Sequence, residues 1–190
     1  MGHNARTCPD SIVTTMLFGE SPVEEEEEDV VAVETDQWVD IPLSEEVVSK
    51  FNSVIEMCTA VSTELKKGFG EGVYEQAMCV ELQLRNIQFT TQETLPIVYK
   101  GRFVGNNRLD IIVHDWLPLI IELKATAAIK NADRWQVVRY MSRKDVPFGV
   151  VINFSQTIKG SLYISFIVKH EGDYYQYSPE TKQGKKMIDY

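Results

Sequence analysis

The sequence predicts an α/β protein, a mixed β-sheet sandwiched with helices. Three observations carry that expectation. Two apolar stretches with helical spacing come first, followed by several short runs rich in branched and aromatic residues. A third helical stretch falls among those strand candidates, the arrangement expected of a sheet with helices packed against it. The 190 residues are 44% hydrophobic, enough for one ordinary domain with a sizeable core and too few for a two-domain enzyme.

The first helix is expected to start after Ser44, a good N-cap followed by Glu45 and Glu46, whose carboxylates meet the positive end of the helix dipole. Val47, Phe51, Val54, Cys58, Val61 and Leu65 then recur at spacings of three and four and form one apolar stripe. Gly68, Gly70 and Gly72 interrupt it, and a second helix is expected over 71–86 with Tyr74, Ala77, Met78 and Leu82 on a common side. Strand candidates follow at 94–99, 102–104, 109–114 and 119–125, with turns at Lys100-Gly101 and 115–118. A helix over 130–143 precedes an apolar strand at 148–154. A last pair, 162–169 and 174–177, is joined by Glu171-Gly172-Asp173.

Residues 1–43 show no sustained period, carry an acidic block at 24–29 and contain Pro9, Pro22 and Pro42; they are expected to form a mostly disordered acidic arm ahead of a domain over 44–190. A short docked segment within 30–41 is the exception, because Val31, Val33, Trp38, Val39 and Ile41 offer apolar anchors. The net charge of −9 is unevenly divided: the first 45 residues hold twelve acidic groups against Arg6 alone, and the remainder has 16 acidic against 18 basic groups. The overall acidity therefore does not exclude nucleic acid as a partner of the domain. The apolar runs at 116–121 and 146–152 are far too short to cross a bilayer, and the stretch at 12–18 is too brief for a secretory signal. Cys8, Cys58 and Cys79 form neither a Cys-x-x-Cys pair nor an even framework, which points to reduced thiols in an intracellular protein.

The segment Leu119-Ile120-Ile121-Glu122-Leu123-Lys124-Ala125 is the most informative in the chain. With period two, Glu122 and Lys124 share one face, opposite Ile121 and Leu123. A carboxylate and an ammonium inside a strand this apolar are costly unless paired, bound to metal or lining a cleft. Asp110, in Leu109-Asp110-Ile111-Ile112-Val113, is the same anomaly one strand earlier. If the two strands pair as a hairpin, Asp110 and Glu122 meet on one face with Lys124 beside them. Such a cluster suits Mg²⁺, with Mn²⁺ as a substitute, since a hard cation takes oxygen ligands, keeps several waters and needs only one or two carboxylates. A metal there acidifies a water and neutralises charge on a phosphoryl oxygen, while Lys124 orients that water or stabilises the transition state. The ordinary reading of Glu-x-Lys is a surface ion pair; the apolar surroundings and the upstream Asp weigh against it.

Glu71 and Glu75 lie one helical turn apart near the start of the second helix, where either can supply a third carboxylate or serve only the helix terminus. Lys66, Lys67, Lys100, Arg102 and Arg108 can flank a phosphate path, as ordinary surface cations also do. Trp135 and Tyr140 read first as packing anchors of an amphipathic helix, with Tyr140 also a candidate contact to nucleic acid. His3, His114 and His170 are too scattered for a zinc site.

Gly68-x-x-Glu71-x-x-Tyr74 resembles the signature of the GxxExxY proteins, a branch of the PD-(D/E)xK nuclease superfamily that also includes restriction endonucleases and Holliday-junction resolvases. The resemblance continues in order through Arg108-Leu109-Asp110, Glu122-Leu123-Lys124-Ala125, Gln136-x-x-x-Tyr140 and residues 149–154, and spans about residues 54–155. It implies a restriction-endonuclease-like αβββαβ core with a mixed sheet flanked by helices. Asp110, Glu122 and Lys124 match the superfamily's catalytic motif, with Gln136 and a helical glutamate completing the site. Glu75 is preferred as the metal ligand by its place on the helix, and Glu71 is the second candidate. Ser62 stands where the family often has a histidine.

The leading expectation is thus a Mg²⁺-dependent nuclease hydrolysing phosphodiester bonds, in DNA rather than RNA, with a homodimer as one assembly. The alternative is a catalytically silent protein of the same fold that docks a basic protein partner through its acidic arm. A third reading has the arm occupying the domain's own cleft in place of nucleic acid. The complete set Asp110, Glu122, Lys124 and Gln136 favours the enzyme, whereas the modest charge of the domain keeps the binding protein in view.

Overall fold

A computed structural model describes residues 37–157 and 160–188 of the chain. The acidic block and most of the expected arm, residues 1–36, lie outside the described residues. The element order is β1 (Trp38–Asp40), α1 (Glu45–Leu65), α2 (Glu71–Leu84), β2 (Phe89–Tyr99), β3 (Arg102–Val113), β4 (Leu119–Lys124), α3 (Asn131–Lys144), β5 (Phe148–Phe154), β6 (Leu162–His170), β7 (Asp173–Ser178) and β8 (Gln183–Lys186). The eight strands form one sheet in the order β1-β8-β7-β6-β5-β4-β3-β2. Only β4 and β5 are parallel, joined through α3, and every other neighbouring pair is antiparallel. The mixed sheet flanked by three helices is consistent with the restriction-endonuclease-like fold, and α2-β2-β3-β4-α3-β5 traces its αβββαβ core.

Two apolar layers hold the sandwich together. Phe51, Val54, Met57, Cys58 and Val61 of α1, with Tyr74, Met78 and Leu82 of α2, pack against Ile111, Ile121, Leu123, Val150 and Ile152. Val137, Val138, Tyr140 and Met141 of α3 pack with Ile112, Ile120 and Val151. Ring stacking adds to the first layer: Phe51 lies on Phe166 at 4.3 Å, and Tyr74 on Phe154 at 4.4 Å. Tyr74 also donates its hydroxyl hydrogen to the carbonyl of Lys66 at 2.9 Å. The signature tyrosine thereby pins the loop between the two helices.

The first helix begins where Ser44 predicts, its hydroxyl accepting from the amide of Val47 at 3.3 Å. The second ends two residues before the expected Asn86, which instead takes a left-handed conformation at φ 55°. Residues 38–41, expected within the arm but allowed as a docked segment, join the sheet: β1 pairs with β8, and Ile41 is fully buried. β8 itself has no strand-like pattern in Gln183-Gly184-Lys185-Lys186. Its glycine is where Ile41 docks, since a Cβ on Gly184 would lie 2.3 Å from Ile41 Cδ1. β2 and β3 are longer than expected because each is paired with the other along nearly its whole length, through Gly105, Asn106 and Asn107.

Close approach of α3 to β5 depends on Gly149. A Cβ there would stand 2.4 Å from Val137 Cγ1 and 2.7 Å from Met141 Sδ. Gly149→Ala is therefore expected to lower stability by about 1–3 kcal/mol through overpacking. Urea unfolding measures it, and unchanged stability would show that α3 withdraws without cost.

Candidate active site

The site forms where β3 parts from β4. The two strands pair at Ile111↔Ile121, Ile112↔Ile120 and Val113↔Leu119, a register that sets Asp110 opposite Glu122 one step further on. There the Asp110 carboxylate takes over as acceptor: Oδ2 receives the amide hydrogen of Leu123 at 2.9 Å. Period two also breaks at this point. Leu109 packs in the α3 layer, whereas Ile111 and Val113 pack in the layer of α1 and α2.

The neighbouring strand breaks at the same level. β2 pairs with β3 at Thr91↔Ile111 and at Glu93↔Leu109, but Gln92 between them has left-handed backbone at φ 56° and makes no regular pair with Asp110. A non-glycine residue at positive φ inside a strand is uncommon and costs energy. The Gln92 side chain turns to α2, where Nε2 donates to both oxygens of the Glu75 carboxylate at 2.6 Å, leaving Gln92 Oε1 buried without a partner.

Glu122 is 2% exposed. Its Oε1 accepts from Lys124 Nζ at 2.5 Å and from Gln136 Nε2 at 2.7 Å, while Oε2 is buried with no hydrogen-bond partner among the described residues. Gln136 is fixed from α3 in turn, its Nε2 also donating to Tyr140 Oη at 2.9 Å, and Tyr140 donating to the carbonyl of Arg108 at 3.0 Å. This chain of bonds runs from the base of β3 through α3 to Glu122 on β4. An orphaned carboxylate oxygen in so buried a place is costly in the absence of a cation or donor.

Electrostatics express the same cost. Burial pushes Asp110 up to about 6, against the amide of Leu123 and the charge of Lys124, which pull it down. Burial, then the charge of Asp110, push Glu122 up to about 7 despite its hydrogen bond to Lys124. For Lys124, burial favours the neutral amine, but the hydrogen bond and charge of Glu122, with Glu71 and Asp110, outweigh it and hold the ammonium above its ordinary value. The site thus keeps two carboxylates near their protonation boundary beside one permanent cation.

The structure brings Asp110, Glu122, Lys124 and Gln136 together as the sequence leads one to expect. Glu75 and Glu71 are placed differently. Glu75 is buried but clamped by Gln92, and Glu71 is exposed at the start of α2, reaching the site through its field. Among the described residues no three His, Cys, Asp or Glu side chains are grouped closely enough to hold a metal ion. Asp110 and Glu122 alone nevertheless fit a hard divalent cation. They face each other, Glu122 Oε2 lacks any partner, and such a cation tolerates two protein carboxylates with waters in the other positions.

Two expectations for nucleic-acid contacts need revision. Tyr140 is 2% exposed and cannot stack on a base; its hydroxyl instead orients Gln136. Lys67 donates to the carbonyl of Thr157 at 2.8 Å and to that of Gly160, so its ammonium ties a neighbouring loop. Lys66 and the side chain of Arg108 are exposed as expected. Gln92 was missed by sequence reasoning. It lies ahead of the strand expected at 94–99, among other polar residues, and no sequence signal sets it apart.

The sheet thus opens between two strands around an Asp, a Glu and a Lys, a candidate catalytic centre. The model of the PD-(D/E)XK nuclease superfamily matches residues 48–163, and the chain belongs to that superfamily, whose members generally use divalent metal ions and act on nucleic acid. No curated protein and no solved structure matches the chain. No helix among the described residues is long and apolar enough to cross a membrane.

Because Asp110 and Glu122 both bind protons more tightly folded than in an unfolded chain, the metal-free fold is penalised as these protons leave. Its stability falls as pH rises from about 4 to about 7. Asp110→Asn keeps an oxygen for the Leu123 amide and removes the charge. It is expected to be more stable than the native chain by on the order of 1–3 kcal/mol near pH 8 with EDTA, and to lose that advantage towards pH 4. Urea unfolding at the two pH values checks this; an advantage independent of pH would assign the effect to packing.

Proposed function

We propose that the protein is a Mg²⁺-dependent nuclease of the GxxExxY branch, with Mn²⁺ able to substitute, and that it hydrolyses phosphodiester bonds in nucleic acid, DNA in preference to RNA. The observation that carries the reading is the pairing of two buried, proton-binding carboxylates, Asp110 and Glu122, with an unpartnered Glu122 oxygen and a charged Lys124 on the same face.

Asp110 and Glu122 would hold the cation, which supplies a nucleophilic water at neutral pH and charge neutralisation at the phosphoryl group. Lys124 remains protonated in this setting, so it serves as a cation rather than as a general base. Lys124, on the same face, would set its ammonium towards a nonbridging phosphate oxygen and stabilise the charge that grows on it as water attacks phosphorus. Gln136 holds Glu122 Oε1 in place, and Tyr140 holds Gln136 in place. In this role Gln136 is a positioning residue.

Calorimetric titration with Mn²⁺ should show binding to the native chain that Asp110→Asn and Glu122→Gln each abolish. Retained affinity in both variants would leave Glu122 and Lys124 as a structural ion pair and overturn the reading. Lys124→Ala should keep the cation and lower single-turnover cleavage of branched or linear DNA by about a hundredfold or more, with a much smaller change in substrate affinity. Metal binding by the native chain without cleavage of any nucleic acid would favour the silent binding protein.

A further inference from the structure

We propose that the outer part of the β2–β3 hairpin, residues 94–108, is a nucleic-acid grip that lies in a duplex groove and delivers the strand to Asp110; this rests on the nuclease reading. The hairpin extends well past the sheet. β4 pairs with β3 only from Ile111 onwards, so residues 94–108 have each other as ladder partners and no third strand among the described residues. From Thr94 to the turn is six residues, roughly 20 Å of extended chain at about 3.4 Å per residue. The turn is Lys100-Gly101, with φ of 48° and 75°, the two left-handed residues of a tight hairpin that matches strand twist. The base is anchored: Leu95 is buried against the α3 layer, and Arg143 of α3 donates to the carbonyl of Pro96 at 3.1 Å.

Beyond that anchor the surface is unusual in two ways. Val98, Tyr99, Phe103 and Val104 are 58–65% exposed, four large apolar side chains within seven positions at the very tip. The hairpin also contains no acidic residue between Glu93 and Asp110, while Lys100, Arg102 and Arg108 are all exposed. Lys100 sits 5.4 Å from the centre of the Tyr99 ring. Cations interleaved with apolar rings suit a partner that offers phosphates along its edges and sugars and bases between them. A two-stranded ribbon has the width to enter a major groove of about 12 Å. A second copy of the same tip is the poorer occupant, since it would set Lys100, Arg102 and Arg108 against their own counterparts. Continuity with the site points the same way: Arg108 is two residues from Asp110 on the same strand, so a duplex held along the hairpin ends at the carboxylates.

The test is fluorescence anisotropy of a labelled duplex of about 20 base pairs with the full chain. Ca²⁺ replaces Mg²⁺, because it takes the same oxygen ligands in a looser geometry. Lys100→Ala/Arg102→Ala and Tyr99→Ala/Phe103→Ala should each weaken binding about tenfold at low salt, with unchanged thermal unfolding. The first should also flatten the dependence of log affinity on log salt by about 1–2, whereas the second should leave that slope alone. Lys186→Ala, on β8 far across the sheet, should bind as the native chain does. Equal binding by the native chain and both double variants overturns the grip while leaving the nuclease reading standing. Failure of the native chain to bind any duplex or single strand overturns both. A native dimer in sedimentation that Tyr99→Ala/Phe103→Ala dissociates with no loss of duplex affinity makes the tip a self-association surface and also overturns the grip.

Discussion

Two carboxylates buried side by side in a sheet are the constraint around which the rest is arranged. Asp110 and Glu122 stand opposite each other, burial raises the proton affinity of both, and the charge of Asp110 raises that of Glu122 further. An apolar pair at these positions would cost nothing and would let β3 and β4 continue their ladder. Keeping the carboxylates requires partners, which β4 and α3 supply: the Leu123 amide and Lys124 from β4, and Gln136 from α3. The compensation is incomplete, because Glu122 Oε2 is left with nothing. A fold that buries charge and stops short of satisfying it marks a candidate functional site.

The supporting packing follows from that need. Gln136 can reach Glu122 only if α3 lies close to the sheet, which Gly149 permits by presenting no Cβ to Val137 and Met141. Tyr140, one turn further along α3, is buried yet polar at its tip, and its hydroxyl is used twice, once by Gln136 and once towards the carbonyl of Arg108. On the other face, Tyr74 couples α2 to β5 through Phe154 and to the preceding loop through Lys66. That fixes the turn of helix carrying Glu71 and Glu75. The two aromatic hydroxyls thus do similar work on opposite sides of the sheet, each holding a helix at the depth the site requires.

The sheet and all three helices could be read from the sequence because apolar periodicity states which face is buried. The Ser44 cap, the α1 stripe and the strand at Phe148–Phe154 come out almost residue for residue. Asp110, Glu122 and Lys124 were legible for the opposite reason, as charges placed where the pattern asks for apolar side chains. What escaped detection is whatever depends on a distant partner. β8 is a strand only because β7 and β1 flank it, and Gly184 has meaning only once Ile41 arrives from far along the chain. Tyr140 was ambiguous because spacing says that it faces inward, whereas only the folded chain says what its hydroxyl meets. The helical glutamates illustrate the same limit, since which carboxylate is occupied depends on Gln92, on another strand.

Gln92 shows how strain and function meet in this sheet. Glycine would occupy φ 56° at no steric cost, so a side chain kept there must be used for something. Its amide spans from the left-handed residue in β2 to the carboxylate of Glu75 on α2, a bond that a regular strand residue, pointing squarely to one face, is not placed to make. The same departure spoils the pairing opposite Asp110, at the level where β3 changes the faces of its side chains and leaves β4. The irregularity therefore coincides with three things at once: the opening of the sheet, the release of Asp110 from ladder geometry, and the start of the long hairpin that projects beyond the core. With Oε1 of Gln92 buried and unpartnered, this residue carries an unmet polar demand, as Glu122 does. Strain is concentrated where the chain must be open, and the regular, fully paired strands on either side supply the stability that lets it persist.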